Sequence, residues 1–372
     1  MTDQVQLQLI TRYRRFLYFL HRLPRKGVLS NGIPVSVEDP SLDVTHGDVV
    51  HPCVRYIAEG FEGHKWWMVY TPYYSGNDSL ENPRLCYADS ENDSPPTEWK
   101  YYCTIKETPE FGYNSDPTML YKDGKLYVFW RECGTPATKK LGCNFATFGC
   151  KVSNGIVTYL QEAQLIDTVG DEYGTSDSEV SPTLMMVKNK LVSYAIHLVF
   201  TPQFIYKIPS KIGSFIYRHN IFLILDALGI YKHIKSKGVA IWVGSSIGRN
   251  LQYDKTVQFN GTSRLYQPWH MDVFSDTTDK DGRLYAVVQT SVKFADICLA
   301  RSDDGENFVF YKKPLLTCTT PGLESLYKPT AIVSGKQFYM YYTVRDRHDL
   351  HLNRLYVTST NWQELKRELD NE

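Results

Sequence analysis

One short phrase recurs five times along this chain, and a repeat of that kind restricts the fold more than any other feature of the sequence. His51-Pro52-Cys53-Val54-Arg55-Tyr56 is the first copy, Asp116-Pro117-Thr118-Met119-Leu120-Tyr121 the second and Ser181-Pro182-Thr183-Leu184-Met185-Met186 the third. Prolines 52, 117 and 182 are spaced 65 residues apart. A looser copy, His270-Met271-Asp272-Val273-Phe274, lacks the proline, and Lys328-Pro329-Thr330-Ala331-Ile332-Val333 restores it. Proline is tolerated where a strand begins, because its missing N–H removes no interior ladder bond there.

Each phrase leads through a turn into a second apolar, aromatic strand, at residues 65–70, 125–130, 190–196, 283–289 and 336–342. Lys122-Asp123-Gly124 and Lys280-Asp281-Gly282 carry hairpin chemistry at two of these turns. A third strand follows at 84–88, 145–151, 240–244, 296–301 and 355–358. After one of them, Ser302-Asp303-Asp304-Gly305-Glu306-Asn307-Phe308 resembles the Asp-box turn of propeller proteins. Five units of three to four strands, with no strand–helix alternation, fit radial blades better than a sandwich. The sequence therefore predicts an all-β fold, a five-bladed β-propeller over residues 31–372. Its blades should open near residues 48, 114, 179, 270 and 326, with the last strand of the ring supplied by the chain before His51 so that no edge is left open.

Two stretches depart from the repeat. Residues 1–30 read as an N-terminal helical segment, and residues 200–238 as a helical insertion in blade three. The apolar positions of both are interrupted or flanked by basic residues. They pack on the propeller, or they offer a surface for a protein or for peripheral contact with a membrane. Neither is long and uncharged enough to span a bilayer. No secretion signal is visible, so a cytoplasmic location, with peripheral attachment at the inner membrane as a variant, is the expectation.

Lys and Arg number 41 and Asp and Glu also 41, which argues against a nucleic-acid partner held by a strong positive field. The 8 cysteines show neither CxxC pairs nor zinc-ligand spacing, and no cofactor or metal is expected from motif spacing.

In antiparallel blades, the start of the first strand and the loop between the second and third strands emerge on one face. The first set comprises Asp48, His51, Asn114, Asp116, residues 176–179, Trp269, His270, Asp272, Tyr327 and Lys328. The second comprises Tyr73, Tyr74, Glu81, Asn82, Arg131, Glu132, His197 and Arg345. Carboxylates from different blades can converge there as an acid/base pair for glycosidic cleavage. Tyr73, Tyr74 and Trp269 offer flat faces for a sugar ring. The candidate substrate-binding residues are Tyr73, Tyr74, Glu81, Asn82, Arg131, His197, Trp269, His270, Asp272 and Arg345.

The succession of strand-opening Asp-Pro and Glu-x-x-Pro phrases resembles the five-bladed glycosidases of glycoside hydrolase family 43 and its relatives, families 32, 117 and 130. That resemblance implies a carbohydrate substrate and a catalytic trio opening the first three blades. It implies Asp116 as the carboxylate that orients and tunes, and Glu179 as the general acid. In the first blade the residue before proline is His51 rather than an acid, so the base is Asp48 or His51. The alternative is a glycan-binding or scaffold propeller without catalysis, working in polysaccharide synthesis.

Overall fold

The computed structural model describes residues 26–40, 49–73, 77–90, 94–140, 145–161, 176–200, 234–261, 268–276, 279, 281–290, 295–320, 323, 326–345 and 352–370. Two short strands come first, β1 (Ile33–Pro34) and β2 (Ser36–Glu38). Blade one is β3 (Val49–Phe61), β4 (His64–Pro72), β5 (Arg84–Ala88) and β6 (Glu98–Thr104). Blade two is β7 (Tyr113–Lys122), β8 (Lys125–Cys133), β9 (Phe145–Ser153) and β10 (Ile156–Tyr159). Blade three is β11 (Ser176–Val187), β12 (Lys190–Phe200), β13 (Ile234–Gly244) and β14 (Gln252–Val257). Blade four is β15 (His270–Ser275), β16 (Leu284–Gln289), β17 (Ile297–Ser302) and β18 (Val309–Phe310). Blade five is β19 (Leu326–Ser334), β20 (Gln337–Arg345) and β21 (Asn353–Asn361). The first strands β3, β7, β11, β15 and β19 meet one another in that order and close a ring, as the repeat predicts.

Closure comes from the N-terminal side. Strand β1 pairs with β21 as the fourth strand of blade five, and β2 lies parallel to β6 at the edge of blade one. Upstream, the amides of Val28 and Leu29 donate to the carbonyls of Pro314 and Leu315 between blades four and five. The segment thus covers open edges of three successive blades, which would otherwise invite pairing with another chain.

Side chains alternate along each strand, so every blade buries both faces. In β4, Trp66, Met68 and Tyr70 pack toward blade five, while Trp67 and Val69 pack toward blade two. Five such apolar clusters fill the five gaps between neighbouring blades. Each fully buried aromatic contributes on the order of 2–3 kcal/mol, so the interfaces hold most of the stability. A C-terminal helix, Trp362–Asp370, is capped by Asn361, whose side-chain oxygen accepts from the amides of Gln363 and Glu364. Its Trp362 stacks on Phe338 and donates its indole N–H to Asp276.

The Asp-box turn forms as its sequence suggests. Asp304 Oδ1 accepts from Ser302 Oγ at 2.9 Å and from the amides of Glu306 and Asn307 at 2.8 and 2.7 Å. Phe308 at its end is fully buried between blades three and four.

The expected helical insertion at 200–238 changes at its borders. Residues 201–233 lie outside the described residues, but 198–200 and 234–238 are strand, paired from His197↔Gly238 to Phe200↔Ile234. The insertion therefore leaves from the tips of β12 and β13. Of the expected N-terminal helical segment, residues 1–25 lie outside the described residues. Among the described residues, no helix is long and apolar enough to cross a membrane.

Candidate functional site

Four of the five first strands break register at the same place: between Val50 and Cys53, Ser115 and Thr118, Val180 and Thr183, and Tyr327 and Thr330. Each break is a bulge at the repeated proline, which lies inside the strand and not at its start as the sequence suggests. The residue before that proline sits in the left-handed region, His51 at φ 53°, Asp116 at 48°, Ser181 at 53° and Lys328 at 35°. Side chains other than glycine are rarely held there, and a bulge redirects the side chain it carries. In blade four Met271 replaces the proline and the pairing from His270 to Ser275 is unbroken. One residue per blade therefore occupies this position: His51, Asp116, Ser181, His270 and Lys328.

These residues come together. Asp116, fully buried, lies at the centre, with Oδ1 3.4 Å from Lys328 Nζ, 3.6 Å from His270 Nδ1 and 3.8 Å from His51 Nε2. Its Oδ2 is 3.0 Å from the Arg131 guanidinium on the adjacent strand. Burial alone would raise the Asp116 carboxyl, but Lys328, Arg131, His51 and His270 outweigh it and hold the group well below the ordinary carboxylate range. Burial pushes His270 well below the usual imidazole value and also lowers Lys328.

His51 is gripped on both ring nitrogens. Nδ1 lies 2.9 Å from Thr71 Oγ1 and 3.4 Å from Glu81 Oε2, and Nε2 lies 3.0 Å from the Tyr327 hydroxyl. Burial, with Asp116 and Glu81 nearby, raises the Tyr327 phenol well above its usual value, which keeps it a hydrogen-bond donor. Ser181 Oγ bonds His270 Nδ1. Ser181, His270 and Asp116 match a serine–histidine–aspartate relay in composition only. Both partners meet the same ring nitrogen, whereas a relay needs opposite ones.

Two residues further along the strands, Cys53, Thr118, Thr183, Asp272 and Thr330 form a second ring. Asp272 fastens it: Arg55 donates to both its oxygens at 3.1 and 3.0 Å, Thr330 Oγ1 at 2.6 Å, Thr183 Oγ1 at 3.3 Å and the Ala331 amide at 3.3 Å. The axis between the rings has no room for a water. The first ring is thus sealed on the side of the second ring, so a ligand would approach it from the opposite face; that face is termed the recess, and the ring its floor. Tyr73, Arg131, Trp269 and Tyr327 are the partly exposed side chains around it.

The expected site residues divide accordingly. His51, Asp116, His270, Arg131 and Glu81 meet at the floor, with Asn82 buried next to Glu81 in sequence. Asp272 binds Arg55 of blade one, Thr183 of blade three, and Thr330 and Ala331 of blade five, in the second ring rather than the first. Glu179 lies two residues before the ring position of blade three, and its Oε2 accepts from the Trp242 indole at 2.8 Å. Trp242 belongs to the cluster between blades two and three. His197 pairs with Glu179 in the sheet and bonds Thr256 Oγ1 at 2.7 Å. Asp48, Tyr74 and the Arg345 side chain lie outside the described residues. Tyr327 and Lys328, placed on this face by the sequence but not among the candidate site residues, join the floor, and so does Ser181, which was not singled out. Their shared signal is their place in the repeat, at or next to the residue before proline.

His51, Asp116 and His270 can each offer one ligand atom such that all three lie within 4.8 Å of one another, a set suited to a metal ion. Its members come from three blades, which is why no spacing in the sequence announces it.

No family model matches the sequence, and no curated protein matches it. Solved structures do. An N-acetylgalactosamine deacetylase from F. plautii, in complex with blood group B trisaccharide, is 15% identical and superposes with TM-score 0.63 over 91% of this chain and 97% of its own. A GH43_1 enzyme from Xanthomonas citri is 12% identical, with TM-score 0.52 over 90% of this chain and 91% of its own. A family 117 glycoside hydrolase of Zobellia galactanivorans is 11% identical, with TM-score 0.52 over 89% of this chain and 91% of its own. The chain shares the five-bladed propeller fold of these proteins.

Proposed function

We propose that the protein is a carbohydrate-active hydrolase whose floor residues act on an acyl substituent of a sugar. One observation carries this reading: the five ring positions hold a single carboxylate, Asp116, between two imidazoles, while the other floor carboxylate, Glu81, stands on the far side of His51 and Glu179 accepts from Trp242. Glycoside hydrolysis of the common kind needs two carboxylates facing each other across the sugar. Hydrolysis of an acyl group needs donors aimed at the oxygen on which negative charge grows. Tyr327, Lys328 and Arg131 are such donors: Lys328 is buried in the ring, and Tyr327 and Arg131 stand half-buried beside it. Trp269 and Tyr73 supply flat faces for the sugar. Water adds to the acyl carbon, the bond to the sugar nitrogen or oxygen breaks, and the acyl group leaves as a carboxylate. The similarity to the F. plautii deacetylase supports this choice.

A second reading, cleavage of a glycosidic bond, is favoured by the solved glycosidases of the same fold and by the presence of Glu81 and Asp116 on opposite nitrogens of His51. A panel of N- and O-acetylated oligosaccharides, assayed in parallel for released acetate and for new reducing ends, separates the two. Acetate without reducing ends supports the acyl reading, and the reverse supports the glycosidic one. Binding without either product across the panel leaves a glycan-binding propeller.

A further inference from the structure

We propose that His51, Asp116 and His270 bind one divalent transition-metal ion at the floor of the recess. The proposal concerns binding and stands whichever bond is cut there.

Donor atoms around an ion at about 2.0–2.1 Å lie roughly 3.0–3.4 Å from each other. Asp116 Oδ1 is 3.8 Å from His51 Nε2 and 3.6 Å from His270 Nδ1, and all three donor atoms lie within 4.8 Å of one another, so the set closes on an ion if the two imidazoles move in toward Asp116. The outer atoms are held as metal ligands usually are. His51 turns its other nitrogen to Thr71 and to the Glu81 carboxylate, and Asp116 turns its other oxygen to Arg131. A carboxylate behind a ligating imidazole fixes its orientation and makes it a better donor. Glu81 Oε2 is buried with no hydrogen bond, and so is His270 Nε2. His51 and Asp116 also hold the left-handed backbone described above. Such strain persists where surrounding structure imposes it, commonly at ligand clamps.

Chemistry selects the class of ion. Two imidazoles and one carboxylate suit zinc, manganese, cobalt or nickel, whereas calcium and magnesium ask for a shell built of oxygens. Lys328 opposes binding, because its Nζ lies 3.4 Å from the Asp116 oxygen that would meet the ion. An ion bound here would supply a Lewis acid to a carbonyl or a water.

The test uses the full chain, stripped with chelator and dialysed, then titrated with Zn²⁺, Mn²⁺ and Co²⁺ by calorimetry, with metal content read by mass spectrometry. One equivalent should bind tightly, and Co²⁺ should give a visible spectrum. Asp116→Asn and His270→Gln should each weaken binding at least tenfold, and Lys328→Met should strengthen it. Where either of the first two fails to fold by circular dichroism, Glu81→Gln serves, and it should weaken binding about tenfold through His51. Absence of binding by the folded wild type would overturn the proposal. So would affinity unchanged in the folded Asp116 and His270 variants, or in Glu81→Gln where those do not fold. Because the readout is the ion itself, a failed search for substrate leaves this result intact.

Discussion

Lys328 Nζ and Asp116 Oδ1 stand 3.4 Å apart across the propeller axis, although 212 residues separate them in sequence. Both are buried, and Asp116 also faces Arg131. A buried charge left without its partner is costly, about 3–5 kcal/mol. Asp116→Ala should therefore destabilise the protein by about that amount, because it strands two cations. Lys328→Met removes one cation and leaves Arg131 on the carboxylate, so its cost should be clearly smaller. Urea unfolding of the two variants decides, and equal costs would contradict the central place given to Asp116.

Tyr327 and Glu179 separate the proposed reaction from its rival. Loss of one donor to a developing oxyanion lowers turnover by roughly 10²-fold. Tyr327→Phe should show that loss in acetate release, while Glu179→Gln should cost less than tenfold. A drop of two or more orders of magnitude in Glu179→Gln, with Tyr327→Phe near wild type, would return the site to a glycosidic mechanism with Glu179 as acid.

Asp272 should prove structural. It joins Arg55 of blade one, Thr183 of blade three and Thr330 of blade five. Asp272→Ala leaves the Arg55 guanidinium uncompensated and should cost about 3–5 kcal/mol. In a folded variant at low temperature, sugar binding should persist. Lost binding with unchanged stability would place Asp272 in the recess instead.

The Asp-box gives an acid-sensitive contribution. Hydrogen bonds from the Asn307 amide and side chain, with help from the Glu306 amide and Ser302, hold the Asp304 carboxyl below its usual value. A carboxyl depressed in the folded state stabilises fully above its unfolded value of about 4 and loses that stabilisation as pH falls through the folded one. The Tm difference between wild type and Asp304→Asn should therefore be largest near pH 7 and shrink below pH 4. A gap that widens in acid would refute the assignment.

The repeat was legible because its proline marks the same place in four first strands, a bulge inside the strand rather than the strand start that the sequence suggests. Blade four, with Met271 in place of proline, stayed recognisable only by its flanking strands. The same position carries His51, Asp116, His270 and Lys328, all placed on this face by the sequence, and only Ser181 of the ring was missed. Asp272 was harder, since it points along the same face as His270 and only its contacts with Arg55 and Thr330 reveal it as a fastener. Glu179 was hardest, because the Trp242 that holds it belongs to the third strand of the blade, beyond the insertion. Pairings between blades, such as Glu81 with His51 or Lys328 with Asp116, depend on how the ring closes, and no local pattern records that.

The pairing of Ile33 with Val357 sets a timetable for the molecule. The strand that completes blade five leaves the ribosome long before its partner, since all the other blades lie between them in sequence. At about 5–20 residues per second, β1 waits on the order of 20–60 s for β21. Through that interval the nascent propeller is an open arc in which β1 lacks its partner and the apolar face of blade one that meets blade five is uncovered, so its tendency to associate with neighbouring chains is set by how fast translation reaches β21.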